Sequence, residues 1–260
     1  MDLGLQDKVV IVTGGAKGIG EAIARLIVAE GGVAVIAGRK EADNEKTVAE
    51  LRKGGGKAFG ITAELGKVED CKKVIDQTIK EFGRIDGLIN NAGANDGVGL
   101  ESGNPEKFMA SLQNNLSHYY NLAHYALPYL KATKGNIVNI GSKVATTGQG
   151  NTSGYAASKG AINALTREWA VELLPHSVRV NTVIPAEVWT PLYETWIKSL
   201  PNPEEKLQSI VSKIPLEKRM TTSEEIAGMT VFLLSGLSSH TTGQIIYVDG
   251  GYTHLDRSVS

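Results

Sequence analysis

The residues best suited to chemistry are Tyr155 and Lys159, which lie four positions apart in the segment YAASK. On a helix, this spacing places both side chains on the same face. A tyrosine with an ordinary pKa of about 10 is a weak acid or base near neutral pH, and a neighbouring ammonium lowers that pKa because it favours the phenolate. We therefore predict a proton-transfer pair here, with an ordinary exposed helix pair as the alternative.

A glycine-rich segment, TGGAKGIG, follows the apolar run KVVIVT and leads into a predicted helix. A turn without side chains between a strand and a helix exposes backbone N–H groups, which bind a pyrophosphate together with the helix dipole. The residues predicted to bind a dinucleotide at this turn are Gly14, Lys17, Gly18, Ile19 and Gly20. The spacing G-x-x-x-G-x-G departs from G-x-G-x-x-G, and the alternative is a turn that needs glycine for backbone reasons alone.

The end of the second predicted strand bears on which dinucleotide is bound. An acidic side chain there binds the ribose 2′-hydroxyl of NAD, whereas an arginine accommodates the 2′-phosphate of NADP. Gly38 stands at the acidic position, Arg39 follows it, and Lys17 lies in the glycine turn. Two cations can therefore meet a 2′-phosphate, so we predict NADP, with NAD as the alternative if these charges are only solvated.

The chain alternates short β-branched runs with longer amphipathic segments, a pattern typical of βαβ units. The predicted strands are Lys8–Thr13, Val33–Ala37, Lys57–Thr62, Ile85–Asn90, Asn136–Gly141, Val178–Ile184 and Gln244–Asp249. The predicted helices are Ile19–Glu30, Asn44–Lys53, Val68–Phe82, Lys107–Lys131, Tyr155–Leu174 and Ser223–Leu234. Because most strands are continuously apolar, we predict a single α/β domain over residues 1–260. It contains a Rossmann-type doubly wound parallel sheet of about seven strands with helices on both faces.

Composition and charge narrow the classes of function. Lys and Arg number 27 against 28 Asp and Glu, and a net charge of −1 excludes a broad basic surface for nucleic acid. The single cysteine, Cys71, is expected to be an ordinary helix residue in a reducing compartment. The apolar run Val9–Val12 is too short for a signal peptide or membrane helix, and the histidines are dispersed. We expect a cytoplasmic protein with no nucleic-acid, membrane or metal partner.

Four motifs in order along the chain resemble the short-chain dehydrogenase/reductase family: the glycine turn, Asn90-Asn91-Ala92-Gly93, Asn115 with Ser142, and YAASK. Ser142 lies 13 positions and Asn115 lies 40 positions before Tyr155, which fits the family's catalytic tetrad. The resemblance implies an NAD(P)-dependent enzyme acting on a CH–OH group. In such an enzyme, Tyr155 is expected to be the acid or base on the substrate oxygen, and Ser142 is expected to orient that oxygen. Lys159 contacts the nicotinamide ribose, and Asn115 supports a water-mediated proton relay.

The same resemblance implies further contacts with the cofactor. They are Glu64 and Leu65 beside the adenine; Asn91, Ala92 and Gly93 after the fourth strand; and Pro185, Val188 and Thr190 after the sixth strand. Of the last group, Val188 and Thr190 are expected to contact the nicotinamide carboxamide. Three positions depart from the family's pattern. Glu64 stands where an aspartate is usual, Ala186 replaces a glycine, and Gly141 stands where many relatives have a second serine.

Polar side chains dominate the loops at the carboxyl ends of the predicted strands, where open α/β sheets bind ligands. Beyond Ser142 and Tyr155, the residues predicted to contact substrate are Asn95, Asp96, Lys143, Gln149, Asn151, Glu187 and Trp196. A hydroxyl-rich substrate pairs with such groups, whereas an unpaired buried polar group costs about 1–3 kcal/mol. We therefore expect a small polar substrate beneath a lid over residues 186–215, although any one of these residues could be a solvated loop position.

Segments such as NDGVGL, QGNTSGY and IPAEVWTPLY resemble the sugar dehydrogenases of the family, above all those acting on L-fucose. This implies hydride transfer from the anomeric carbon of an L-fucose-like monosaccharide to NAD(P), giving the lactone. The alternatives are an NADPH-dependent ketone or 3-oxoacyl reductase and a non-catalytic NADP-sensing protein. The resemblance also implies a homotetramer, and His254, Asp256 and Arg257 could reach a neighbouring subunit's pocket.

Overall fold

The frame of the molecule is one parallel sheet, seen in a computed structural model that describes residues 2–255. Its strands are β1 Val9–Thr13, β2 Val33–Gly38, β3 Lys57–Thr62, β4 Gly87–Asn90, β5 Asn136–Ile140, β6 Arg179–Pro185 and β7 Ile245–Val248. They lie in the order β3-β2-β1-β4-β5-β6-β7. This confirms the predicted doubly wound α/β fold, with strand ends displaced by at most two residues.

Helices cover both faces of the sheet. One layer contains α1 Gly18–Ala29, α2 Glu41–Lys53 and α9 Ser223–Leu234, and the other contains α3 Val68–Phe82, α5 His118–Thr133 and α6 Ser153–Leu173. Alternate residues of β1 enter the two layers: Val10 and Val12 face the first, Val9 and Ile11 the second. The strand is therefore apolar throughout, as strands buried on both faces are. In the described part of the chain, no helix combines the length and apolar character needed to cross a bilayer.

The strand order reverses between β1 and β4, which are neighbours in the sheet although three helices separate them in the chain. At such a point the connections leave in opposite directions, and a crevice opens at the carboxyl ends of the strands. The glycine turn follows β1, the Asn91–Gly93 segment follows β4, and Ser142 follows β5. The fold thus brings motifs from distant parts of the sequence to one edge of the sheet.

The structure differs from the prediction at the expected helix Lys107–Lys131. That segment is divided into α4 Pro105–Leu112, a π-helical segment over Gln113–Ser117, and α5. The widened turn contains Asn115, whose side chain is fully engaged with backbone groups. A single π-helical turn is too short for hydrophobic periodicity to reveal it, and such turns inside α-helices are frequent at functional sites.

The expected lid contains more regular structure than the sequence indicates. Residues 186–215 contain two short helices, α7 Pro191–Lys198 and α8 Pro203–Val211. Both helices begin with proline at a first-turn position, where its missing N–H costs nothing. Thr190 caps α7 by accepting a hydrogen bond from the Tyr193 backbone N–H at 3.2 Å.

Cys71 is an ordinary buried thiol, as expected for a structural helix residue. It lies in α3 with its side chain fully buried, and its Sγ donates to the Leu65 carbonyl at 3.3 Å. Burial raises the pKa of the thiol to about 11, so the thiol stays protonated near neutral pH.

Candidate active site

The four residues of the expected tetrad come from three neighbouring elements. Asn115 lies in the π-helical segment, Ser142 directly after β5, and Tyr155 and Lys159 in the first turns of α6. The Lys159 Nζ lies 5.5 Å from the centre of the Tyr155 ring, so the two side chains share a helix face as predicted. Tyr155 also forms a hydrogen bond with Ser142. The structure therefore assembles a phenol, a serine hydroxyl and an ammonium at one point.

The pKa values of this pair contradict the prediction that Lys159 lowers the pKa of Tyr155. Burial raises the pKa of Tyr155 to about 12, and this outweighs the lowering effect of the hydrogen bond with Ser142. Desolvation also lowers the pKa of Lys159 to about 7. The hydrogen bonds of its ammonium go to the Ile140 carbonyl and the Tyr119 hydroxyl. In the chain alone, Tyr155 is thus a neutral phenol, and a further positive charge must reach it before it ionises near neutral pH.

Asn115 holds two backbone segments together. Its Oδ1 accepts from the Ala94 N–H at 2.9 Å, and its Nδ2 donates to the Ser111 carbonyl at 3.1 Å. It therefore joins the loop after β4 to the end of α4. A Cβ on Gly93 would lie 3.0 Å from the same Oδ1, so this close approach suits a glycine. The role of Asn115 in a proton relay remains a prediction.

The glycine turn has the form that a pyrophosphate requires. Gly14 and Gly18 have φ angles of +63° and +55°, which side chains disfavour, so the backbone can curve around an anion. Lys17 is the N-cap residue of α1, and among the described residues no side chain caps the helix there. The first N–H groups of α1 consequently remain available to an anion, and the helix dipole favours negative charge at that end.

The loop after β4 is fastened to this turn. Thr13 Oγ1 accepts from the backbone N–H groups of Asn91 and Ala92 at 2.8 and 3.0 Å. The Asn91 Nδ2 in turn donates to the Thr13 carbonyl at 2.9 Å. These bonds hold the crevice edges of β1 and β4 in register. Asn91 and Ala92 thus border the cleft chiefly through the backbone they fix.

The adenosine side of the cleft carries paired charges. Lys17 forms an ion pair with Asp43 at 2.8 Å, and the Arg39 guanidinium lies 4.0 Å from the Glu64 carboxylate. Leu65 is buried in the core, so its side chain chiefly supports the end of β3. Contacts of these residues with an adenine remain predictions.

The segment after β6 runs across the mouth of the cleft. Pro185 ends β6, and Val188 pairs with Thr221 in an isolated bridge that fixes the root of the lid. A Cβ on Gly18 would lie 3.3 Å from the Thr190 Cγ2, so Thr190 lies directly against the glycine turn. Positions predicted to bind the cofactor after β1 and after β6 are thus neighbours in the structure.

A buried ion pair forms one wall of the cleft next to Ser142. The Lys143 Nζ donates to Glu187, and the two side chains are only 11% and 13% exposed. Tyr193 of α7 donates its hydroxyl to the other Glu187 oxygen at 2.9 Å, and Lys143 lies over the Tyr252 ring at 4.1 Å. The wall therefore links β5, the lid and the segment after β7.

The other predicted substrate residues are more scattered. Asn95 Oδ1 accepts from the Thr152 hydroxyl at 2.6 Å, and Asp96 is close enough to raise the pKa of Tyr155. Gln149 and Asn151 are exposed loop residues. Trp196 is half-exposed on the lid and packs edge-on against Tyr193 at 5.1 Å. Asp256 and Arg257 lie outside the described residues.

Two aromatic residues at the site escaped the sequence analysis. Tyr119 contacts Lys159, and the only signal for it is its place one helical turn after Asn115. Tyr252 covers Lys143 from the segment after β7, a contact that no local pattern predicts. Both contacts join residues more than 35 positions apart, so only the folded chain reveals them.

Comparison with known proteins identifies the family of this chain. A family model described as enoyl-(acyl carrier protein) reductase matches residues 14–253. The chain belongs to the short-chain dehydrogenase/reductase family. Within it, the chain is 37% identical to L-fucose dehydrogenase of Bos taurus over 94% of its length and 88% of the relative. It is 35% identical to the 3-oxoacyl-[acyl-carrier-protein] reductase FabG of Thermotoga maritima over 95% and 98% of the two chains.

Two solved structures of the family show the same architecture. The crystal structure of Cj0485 dehydrogenase has a TM-score of 0.94 and 46% identity, and the match covers 99% of this chain and 98% of that one. Aldohexose dehydrogenase of Thermoplasma acidophilum has a TM-score of 0.88 and 32% identity, with the same coverage. The chain is thus an oxidoreductase acting on CH–OH groups with an NAD(P) cofactor.

The residues present fit such a cofactor. The open amides of α1 suit the pyrophosphate, and Lys159 lies beside the Tyr155 ring. When bound, a nicotinamide dinucleotide supplies the hydride acceptor or donor. The roles of this chain's own residues remain predictions: the Tyr155 hydroxyl would exchange a proton with the substrate oxygen, and Ser142 would orient that oxygen.

Gly20→Ala is expected to weaken dinucleotide binding. A Cβ on Gly20 would lie 2.3 Å from the Gly14 carbonyl oxygen and 2.6 Å from the Asn91 Nδ2, so the turn itself must move. Because such overpacking costs about 1–3 kcal/mol, we predict roughly a tenfold loss of affinity in a fluorescence titration.

The matched control is Gly228→Ala on α9, where no atom of the described structure lies within 4 Å of the new Cβ. It should leave affinity unchanged and raise the melting temperature slightly, since alanine favours a helix. Equal affinities of Gly20→Ala and the unchanged protein would show that the turn does not hold the dinucleotide.

Proposed function

We propose that this enzyme oxidises the anomeric hydroxyl of a neutral, L-fucose-like monosaccharide to the lactone, with NADP as the hydride acceptor. The observation that carries the proposal is the buried Lys143–Glu187 pair beside Ser142. A charged pair in the substrate wall suits a ligand rich in hydroxyl groups, which can donate to Glu187 and accept from Lys143. An acyl chain or steroid has no hydroxyl groups along its length that could form hydrogen bonds with this pair.

The lid supplies the complementary apolar surface. Trp189, Tyr193 and Trp196 form an aromatic cluster. The ring centre of Tyr193 lies 6.2 Å from that of Trp189 and 5.1 Å from that of Trp196. Trp189 and Trp196 are 40% and 44% exposed, so ring surface remains free. A pyranose presents hydroxyl groups at its edge and C–H groups on its faces. Amphipathic rings beside a charged pair therefore match both kinds of surface.

The chemistry follows from the tetrad. Tyr155, as phenolate, takes the proton of the anomeric hydroxyl while the hydride leaves the same carbon, and Ser142 holds the oxygen in place. In the reverse direction the neutral phenol donates that proton. The names of the relatives also support a sugar, because L-fucose dehydrogenase and aldohexose dehydrogenase are among them.

A second candidate is reduction of a ketone or 3-oxoacyl group with NADPH. The similarity to FabG favours it, at nearly the same identity as the sugar enzyme. The polar wall argues against it, because a 3-oxoacyl chain gains little from a buried ion pair. A non-catalytic NADP sensor is less favoured still, since the tetrad residues and their contacts are intact.

A substrate panel tests the proposal. We expect turnover of L-fucose, D-arabinose and L-galactose, and little turnover of neutral ketones or acyl thioesters, in initial-rate assays with both dinucleotides.

Lys143→Met should lower kcat/KM for the sugars by about 10–100-fold, because Glu187 is left buried without its ion-pair partner. The matched control is Lys198→Met on α7, whose ammonium is 68% exposed.

Activity on ketones or thioesters alone would overturn the sugar assignment.

Tyr155→Phe separates an enzyme from a sensor. It should lower turnover by at least about 10²-fold, as loss of an acid–base group does, while dinucleotide affinity stays within about threefold. A protein without turnover before the substitution would be the sensor.

The choice of NADP is supported at the end of β2. The Asn44 Oδ1 lies 2.7 Å from the place of a Cβ on Gly38, so an acidic side chain there would have to displace Asn44. The Arg39 side chain is 75% exposed and held only at 4.0 Å by Glu64, which leaves it able to turn to a 2′-phosphate.

Arg39→Ala should lower kcat/KM for NADP by about 10–100-fold and for NAD by less than about threefold, because a hydrogen bond to a charged group contributes about 1.5–3 kcal/mol. The control is the adjacent exposed cation in Lys40→Ala. Equal losses with the two dinucleotides would contradict the assignment of NADP.

The proposal includes a homotetramer, supported by apolar side chains on the outer surface of α5 and α6. Tyr120, Val171 and Leu174 are 54%, 68% and 58% exposed, and a cavity of about 100 Å³ lies beside Tyr120 and Trp169. Such adjacent exposed apolar groups are typical of protein interfaces.

Light scattering should give the mass of four chains, and Val171→Glu should reduce it, because a buried carboxylate at an interface lacks a partner. Leu100→Glu, at an exposed loop residue, is the control. A monomeric mass for the unchanged protein would contradict the tetramer.

A further inference from the structure

A fully buried hydroxyl, that of Tyr119, lies beside the ammonium of the tetrad. The Lys159 Nζ donates to the Tyr119 hydroxyl oxygen at 3.1 Å, and both groups donate to the Ile140 carbonyl, at 2.8 and 3.0 Å. Three elements thus meet at one carbonyl: α5 through Tyr119, α6 through Lys159, and the end of β5 through Ile140. Ser142 follows that strand end by only two positions.

The Tyr119 hydroxyl can act toward Lys159 only as an acceptor. Its side chain is fully buried, and burial raises its pKa well above the ordinary value, so the proton stays on the oxygen. That proton is given to the Ile140 carbonyl. The free lone pairs therefore face an N–H of the ammonium, and the bond favours the charged form of Lys159.

Lys159 has little other support for its charge. Within the described residues it forms no ion pair with a carboxylate, and its side chain is only 2% exposed. The titratable groups that face it are His118 and Tyr119 of α5 and Tyr155 of its own helix. Burial and Lys159 itself hold the pKa of His118 at about 3, so this imidazole is neutral. Two neutral oxygens, on Tyr119 and Ile140, are the acceptors that the ammonium has.

We propose that the Tyr119 hydroxyl is a positioning group of the active site, which keeps the Lys159 ammonium charged and fixed at the end of β5. It acts through Lys159 rather than on the substrate. Because the side chain is buried behind the lysine, it provides no route for protons to solvent. Tyr119, which lies one helical turn after Asn115, thus adds a fifth side chain to the tetrad and contacts it through Lys159.

Tyr119→Phe removes this one acceptor and keeps the buried ring. We expect kcat to fall about tenfold, the size expected for loss of a hydrogen bond to a charged group, with KM for the substrate changed less than about threefold. Because the ammonium loses a stabilising contact, its pKa falls further. The loss of dinucleotide affinity as the pH rises and Lys159 loses its proton should then begin about one pH unit lower than in the unchanged protein.

The matched control is Tyr120→Phe, which removes a hydroxyl from the next residue of α5, whose ring is 54% exposed and stacks on His124. It should leave kcat and the pH dependence of binding unchanged. Lys159→Met provides a second test, since Tyr119→Phe should have no further effect on dinucleotide affinity in that background.

Unchanged kcat and unchanged pH dependence in Tyr119→Phe would overturn the proposal. So would losses of affinity that add fully to those of Lys159→Met, because a purely structural role would produce them. If Tyr119→Phe does not fold, a crystal structure of the unchanged protein with its dinucleotide decides the question. The Lys159 Nζ should stay within hydrogen-bonding distance of the Tyr119 oxygen, and a separation beyond about 4 Å would refute the proposal.

Discussion

The site depends on an ammonium held almost entirely out of water. Lys159 is 2% exposed, and its charge is offset by the oxygens of Ile140 and Tyr119 rather than by a carboxylate. Burying a charge in this way costs stability, and the cost shows in the lowered pKa of Lys159. A carboxylate partner would neutralise the ammonium, and it would also remove the positive field that a phenolate at Tyr155 needs. The buried ammonium lowers the stability of the chain without a dinucleotide, and it provides a site that a bound dinucleotide would complete.

The rest of the architecture serves to place that ammonium. The π-helical turn around Asn115 ties α4 to the loop after β4, and α5 then begins directly at His118, which presents Tyr119 to Lys159. On the other side, Ser142 and Lys143 leave β5 together, one toward Tyr155 and the other toward Glu187 of the lid. The residues proposed for proton chemistry and for substrate recognition are therefore neighbours at one strand end.

The sequence predicts the fold well because its signals are local. Continuously apolar strands such as Val9–Thr13, and glycines at the first strand-to-helix turn, each follow from nearby residues. Spacing also places Tyr155 and Lys159 on one face. The pKa of Tyr155 was predicted in the wrong direction, because spacing gives proximity but not burial. The break at Gln113–Ser117 and the contacts of Tyr119 and Tyr252 were missed since they arise from packing between distant segments.

We infer that Tyr155 becomes a usable base only when a positive nicotinamide joins Lys159 beside it. The most direct test is an ultraviolet difference titration of tyrosinate, comparing the unchanged protein with Tyr155→Phe, without and with the oxidised dinucleotide. The chain alone should show Tyr155 ionising at a pKa of about 12. With the oxidised dinucleotide bound, that pKa should fall by about 1–3 units, as an opposite charge at close range requires. The same pKa in both states would contradict the account.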